Sequence, residues 1–473
     1  MESEKELAGY ATKLRYRDLP DTSVSVIKNM VLTVLGTTIA GAAEEGCKAM
    51  VDLVREWGGK EEATIFVYGG KAPAHNVAAA NSVMARALDF CDAMSPGIHL
   101  GSSVVPTAYA IAELMAGCSG EDFIAHLAAA TELAARINAV SDYDGFDPTG
   151  VCGVFAATVV AGRMLGLNPE QMLHALALAF NRAGGSFQSN VDGALAVRVI
   201  QGFVSQNGII CAQLAKRGIS GPRNFLKGIY GYLHLYGRAS CRPVEMTKGL
   251  GEVFRLNDII FKKYPSCGCT LASTDAALDL IGKENFRPEH ILRVDIRVSP
   301  YAYKLAGHPF ELGENLKVNA QFSIQYCIAN ALIRKTSKLV HFDKISVMDE
   351  KVLELIKKIY VHEDINLGVP GIKTDKNTTH LSVKMKVTTL DGNVYYKAVD
   401  LPRGNPVRPL SNAEHFERFY DCISYSKYLI SNDRAAALCS RADGLEKVSD
   451  VRTMIPLLMQ TENEFPEEGK ERS

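Results

Sequence analysis

His99 stands in SPGIHLGSSVVP, read as a loop that runs into an apolar helix, with Asp89 and Asp92 a few residues before it. An imidazole titrates near neutrality, and a nearby carboxylate can share its proton or orient its ring, which is general acid–base chemistry. The same pattern also suits a helix cap or an internally satisfied polar cluster, and pattern alone leaves both readings open. Lys262 and Lys263 lie in DIIFKKYPSCGCT, where the chain passes from one type of sequence to another. A lysine at such a junction is placed to hold an anionic substrate, or is simply solvated. Cys267 and Cys269 follow as Cys-Gly-Cys. No second close cysteine pair and no nearby histidine completes a four-ligand metal set, so no metal is expected, and the plainer reading is a packed helix start.

Other chemistries lack an anchor. No GxxxxGK[ST] occurs, no GxGxxG follows a strand pattern, and neither HExxH nor GxSxG is present, so nucleotide, zinc-protease and serine-hydrolase readings have no support and no cofactor is expected. The formal net charge of −1 lacks the basic excess of a nucleic-acid binder. No continuous apolar run reaches the roughly 20 residues needed to cross a bilayer. The opening MESEKELAGY carries both charge signs rather than a basic-then-apolar leader. A cytoplasmic protein is expected, with its eleven cysteines unpaired and, as at Cys118, Cys152, Cys211 and Cys327, mostly in apolar stretches.

The elements that must position these residues fall into two kinds. Apolar side chains keep a helical period over 22–41, 104–117, 126–139, 154–166 and 170–182, many of them rich in Ala and Leu. Near residue 255 the character changes. Residues 291–299 and 381–388 alternate as half-buried strands do, and Asp391-Gly392 is a hairpin signal. Helical stretches at 271–282, 318–334 and 350–358 lie among them, and Ser411 and Asn412 are N-cap candidates for a final helical return. The expected fold is mostly α: a large all-helical domain plus a smaller α/β (α+β) lid domain with an antiparallel sheet. The helical domain takes 1–256 and 401–473, and the lid is inserted at 257–400. The tail from Glu462 is expected to be disordered.

Several segments, in order from about residue 7 to residue 425, together resemble the MmgE/PrpD family. They include ANSVMARALDFCDAMSPGIHLGSSVVPTAYAIAEL, DPTGVCGVFAATVVAGRMLGL, FKKYPSCGCTLASTDAALDL and NAQFSIQYCIANALI. The resemblance implies a homodimer of two-domain subunits acting without metal on small di- and tricarboxylates in the cleft between helical core and lid. Carried over residue by residue, it points to His99, Asp89 and Asp92, Lys262, Tyr326 of the lid helix and Arg198.

Departures from the family pattern accompany it. Cys91 stands within the acidic motif, Asp147 where many members have histidine, Val197 where many have lysine, Ile200 where many have histidine, and Cys267 where cis-aconitate decarboxylases have histidine. The chemistry the resemblance implies starts with loss of a proton or CO2 from a carbon next to a carboxylate. His99 would be the acid/base. Asp92 would orient it or contact polar groups of the substrate, Lys262 and Arg198 would bind carboxylates, and Tyr326 would donate from the lid. Asp147 would mark a less anionic substrate or act as another base, with Tyr143 taking over the missing donor role. The expected activity is a dehydratase or decarboxylase. The alternatives are an epimerase using a second acid/base opposite His99, and a carboxylate-binding protein without turnover.

Overall fold

A computed structural model describes residues 2–237, 244–313, 315–367 and 381–460 of the chain. The tail beginning at Glu462 lies outside the described residues.

The Ala- and Leu-rich segments form helices close to the expected positions: Asp21–Gly41, Gly101–Leu114, Gly120–Ala139, Val154–Met164 and Pro169–Phe180. Their apolar faces are wide because each is surrounded by other helices. Ala74–Arg86 and Ala196–Lys216 pack against each other at the centre, flanked by Gly101–Leu114 and Val154–Met164. Small residues set how closely they approach. A Cβ added at Gly202 would meet the Ala79 carbonyl at 3.1 Å, and one at Gly208 would meet Ala157 at 2.5 Å. The resulting core runs from Leu7 to Phe261 and resumes from Leu410 to Leu458. The returning helix Asn412–Tyr425 starts at Ser411 with a capping box to Glu414. This part is not purely helical, since Ala63–Thr64 pairs antiparallel with Lys71–Ala72. Asp21–Gly41 is also long and apolar enough to cross a membrane by length and composition, contrary to the sequence expectation. Its polar residues, Ser25, Lys28 and Asn29 among them, interrupt the apolar run while the average over the helix stays high, and most of it is buried inside the fold.

The second core runs from Ile260 to Val399. Its four-stranded sheet has the order Ile359–Glu363, Ile291–Val298, Val383–Thr389, Val394–Val399. The last three strands are antiparallel as expected, but Ile359–Glu363 pairs parallel to Ile291–Val298, so the sheet is mixed. The hairpin turns through Leu390, Asp391 and Gly392. The Thr389 N–H donates to the Asn393 carbonyl at 3.0 Å, and Gly392 takes the positive φ of 85° that such a turn requires. Leu271–Lys283 and Ile324–Arg334 pack beside this sheet. The single helix expected over 318–334 is two, Leu316–Gln321 and Ile324–Arg334, because the Ser323 hydroxyl caps the second by accepting the Tyr326 N–H at 3.1 Å.

The two parts are joined by a short ladder and several polar ties. Asp92–Ala93 pairs antiparallel with Ile260–Phe261. Gln321 Nε2 donates to the Leu88 carbonyl at 2.8 Å, and Lys317 pairs with Glu44 at 2.8 Å. Leu339 packs with Leu88 and Phe90 in a small apolar cluster across the junction. Mostly α with a smaller α/β part is the observed class.

Candidate active site

The ladder across the junction sets the site. Its register places Phe261 opposite Asp92, so Lys262 comes to the chain just before Asp92. Lys262 is buried, and its Nζ donates to Asp89 Oδ1 at 2.7 Å and to the Asp89 carbonyl at 3.0 Å. Asp89 sits past the end of Ala74–Arg86, with a positive φ of 50°. That geometry lets Arg86, in the last turn of the helix, reach the same Oδ1 at 2.5 Å. Burial alone would raise the Asp89 carboxyl, but Arg86 and Lys262 hold it at about 2. Burial likewise opposes the Arg86 charge, and Asp89 more than offsets it.

A cleft of about 780 Å³ empty volume, part of it open to solvent, lies over this cluster between the two parts. Arg86, Asp89, His99, Asp147 and Lys262 line it from the helical side and the junction, and Cys267, Cys269, Tyr301 and Phe322 from the other.

His99 is fixed from four directions. Its N–H donates to the Thr149 hydroxyl at 3.0 Å, and its carbonyl accepts from Gln201 Nε2 at 3.1 Å. Its Nδ1 lies 2.7 Å from the Asp92 carbonyl oxygen and 3.5 Å from Cys91 Sγ. A carbonyl only accepts, so Nδ1 carries the proton and Nε2 keeps the lone pair. Burial, with Arg86 and Lys262 nearby, pushes the ring well below the ordinary histidine value. The imidazole is therefore neutral, with a basic nitrogen left over.

The Asp92 side chain does something other than expected. Its Oδ2 accepts the N–H groups of Leu100 at 3.3 Å and Gly101 at 3.0 Å, capping Gly101–Leu114, while its main chain orients His99. Burial raises its carboxyl against those two bonds. Gly101 is required here, because a Cβ on it would lie 2.1 Å from Asp92 Oδ1. Asp147 reaches the cleft wall, with its Oδ1 accepting from Thr149 N at 2.7 Å and Gly150 N at 3.3 Å at the start of the next helical run. Burial raises it too. Cys267 lines the cleft, and a hydrogen bond from Cys269, outweighing burial, lowers its thiol below the ordinary value.

Besides Asp92, three expected residues do not line the cleft. Arg198 lies on the side of its helix turned away, where its Nη1 donates to the Glu45 carbonyl at 2.7 Å; on that helix it is Val197, Ile200 and Gln201 that line the cleft. Tyr326 is buried inside the smaller part between Phe310 and Phe342, its hydroxyl donating to the His341 carbonyl. Tyr143 donates to Asn138 Oδ1 at 2.9 Å and lines a neighbouring cavity that shares Pro96, Phe187, Tyr301 and Leu305 with the cleft. Arg86, Gln201, Thr149 and Asn190 were missed. Only Arg86 carried a signal, its spacing of three from Asp89 at a helix end. Among the described residues no group of three or more His, Cys, Asp or Glu is placed to hold a metal.

Comparison with known proteins matches both halves of this arrangement. Residues 5–241 match the MmgE/PrpD N-terminal domain and residues 264–438 the MmgE/PrpD C-terminal domain. The chain is similar to a cis-aconitate decarboxylase of Aspergillus terreus, 24% identical over 477 residues that cover 96% of this chain and 95% of that protein. It is also similar to the cis-aconitate decarboxylase-like protein oryM of Aspergillus oryzae, 23% identical over 484 residues covering 96% of each. With both domains matched in order over most of its length, the chain belongs to the MmgE/PrpD family.

Proposed function

We propose that this protein is a metal-independent lyase that removes a proton from the carbon next to a carboxylate of a small hydroxy- or unsaturated carboxylate. The observation that carries this reading is the His99 ring: neutral, with Nδ1–H held on the Asp92 carbonyl and Nε2 free, on the wall of a cleft that also holds Arg86 and Lys262. Arg86 uses Nη1 on Asp89, which leaves other donors of its fork for a substrate carboxylate. As Nε2 takes the carbon-bound proton, charge moves onto that carboxylate and the guanidinium stabilises it. Lys262 spends two of its three N–H bonds on Asp89. Its third is available to protonate a leaving hydroxyl, which departs as water, and the proton on His99 then passes to Lys262.

This arrangement favours dehydration over decarboxylation. Dehydration begins with a base taking the carbon-bound proton, the role a bare Nε2 fits, whereas loss of CO2 needs no base at its first step. The epimerase reading needs a second acid or base facing His99; Asp147 and Cys267 line the cleft and Tyr143 does not. We further propose that residues 257–400 act as a lid on a helical domain of 1–256 and 401–473, that two copies form a homodimer, and that the protein works in the cytoplasm.

Proton NMR of carboxylate mixtures in heavy water, with the parent protein and His99→Gln, tests the reading. The expected outcome is new unsaturation, with solvent deuterium entering the carbon next to the carboxylate as the proton abstraction reverses. His99→Gln should slow both about 10²–10⁴-fold, the usual contribution of a positioned acid or base. Inverted configuration without unsaturation would favour epimerisation, and equal rates in both proteins would remove His99 from the chemistry.

A further inference from the structure

The charges along the cleft say which carboxylates fit it. Arg86 and Lys262 are its two cations, and both are tied to the same oxygen of Asp89. Asp147 brings a second carboxylate to the wall. His99 contributes no charge in its neutral form. Two cations thus face two carboxylates, and a ligand with several negative charges would meet little uncompensated positive charge among these buried side chains, where unpaired charge is costly.

The remaining wall is of another kind. Val197 and Ile200, one turn apart on Ala196–Lys216, face the cleft with Phe187, Leu305, Phe322 and Leu381. Three buried polar atoms of cleft residues lack partners among the described residues: Asp89 Oδ2 and Gln201 Oε1, both acceptors, and Asn190 Nδ2, a donor. Gln201 Nε2 is committed to the His99 carbonyl, which fixes the amide so that Oε1 is the atom left over. An uncharged hydroxyl satisfies such atoms, and a buried acceptor left unmet is unfavourable.

We infer that the substrate is a monocarboxylate: one carboxylate on the free edge of Arg86, the carbon next to it facing His99 Nε2, a hydroxyl or double bond on the following carbon, and an uncharged apolar remainder against Val197, Ile200 and Phe322. This rests on the carboxylate-lyase reading above and narrows it. Asp147 excludes a second carboxylate from its side of the cleft, and Val197 is the position at which a cation would change the preference.

Calorimetric titration of the full chain with trans-2-hexenoate, fumarate and cis-aconitate tests it, with V197K and R86Q alongside. The expected result is that trans-2-hexenoate binds the parent at least about 10-fold more tightly than either of the others, a difference of roughly 1.4 kcal/mol. R86Q should lose the hexenoate affinity, and V197K should narrow or reverse the preference toward fumarate. Tighter binding of fumarate or cis-aconitate by the parent overturns the inference, as does no binding of the hexenoate at all. The parent comparison stands even if either variant folds poorly. In heavy water the lyase run in reverse adds D2O across the ligand's double bond and leaves deuterium on the carbon next to the carboxylate, and this readout on the tightest ligand separates the two claims. Preference for the hexenoate without deuterium uptake leaves the specificity and sinks the lyase. Uptake on a di- or tricarboxylate that binds more tightly leaves the lyase and sinks the specificity.

Discussion

Donation of the His99 Nδ1–H to the Asp92 carbonyl makes Nε2 the only basic atom of the ring, and the buried setting beside Arg86 and Lys262 keeps that atom unprotonated. The consequence for pH has a definite sign. The folded-state value is depressed, so the ring stays neutral as pH falls through 6.5 and takes a proton only below that. In the unfolded chain it is protonated near 6.5, so the same group lowers stability as pH drops beneath that point. We predict that kcat/KM on the preferred carboxylate is level through pH 6.5 and declines only at more acid pH. A limb centred at 6.5 or above would mean that another group, or a protonated His99, limits the reaction. At this scale local pattern singled out His99, Asp89 and Lys262 without deciding their role, and the family resemblance added Cys267; all four line the cleft. The sequence could not tell a side chain from its own backbone: Asp92 orients the ring through its carbonyl, while its carboxylate caps a helix. It also placed Arg198 at the site, because which side of Ala196–Lys216 faces the cleft is decided by packing around the whole helix rather than by neighbours in sequence.

Three short features aim the site: the end of Ala74–Arg86, the start of Gly101–Leu114, and the ladder of Asp92–Ala93 with Ile260–Phe261. The helices themselves were legible from their period, as was the Ser411 cap. The ladder was not, since two residues leave no alternation to read, and Ile359–Glu363 was too short to declare itself parallel. Gly101 is where element and site meet, with room for no Cβ beside Asp92 Oδ1 or Met30. Gly101→Ala should destabilise the protein by about 3 kcal/mol, the upper end of the usual overpacking range, and should lower turnover in the fraction that stays folded by moving the Asp92 main chain. Denaturant unfolding and activity measured together check this. Unchanged stability would mean that the helix start moves aside freely, and that Asp92 is not held as tightly as its two N–H bonds imply.

Over the whole molecule, the chain leaves a helical core to build the sheet-containing part and comes back to finish that core, so the cleft lies where two separate cores meet. Composition alone showed the change of character near residue 255 and the return after 410. It did not show the side-chain ties across the junction, such as Lys317 to Glu44 and Tyr425 to Asp343, because these join residues distant in sequence. The helical part also keeps large apolar side chains exposed, among them Phe203, Ile229, Tyr230 and Leu235, and the proposed homodimer would cover some of them. Sedimentation velocity should give twice the mass of one chain, and charged substitutions at Phe203 and Tyr230 should shift the boundary toward one chain. A single-chain mass for the parent would set the homodimer aside.

The proton on His99 is the point on which the account turns, and nitrogen NMR of protein labelled with 15N-histidine reads it directly, the His99 signals being identified by their loss in His99→Gln. The account predicts a neutral ring at pH 6 to 7, protonated at Nδ1 and bare at Nε2, with Nε2 shifting when a monocarboxylate binds. A doubly protonated ring in that range, or a proton on Nε2, would contradict it, because the cleft would then lack the base that the proposed reaction begins with.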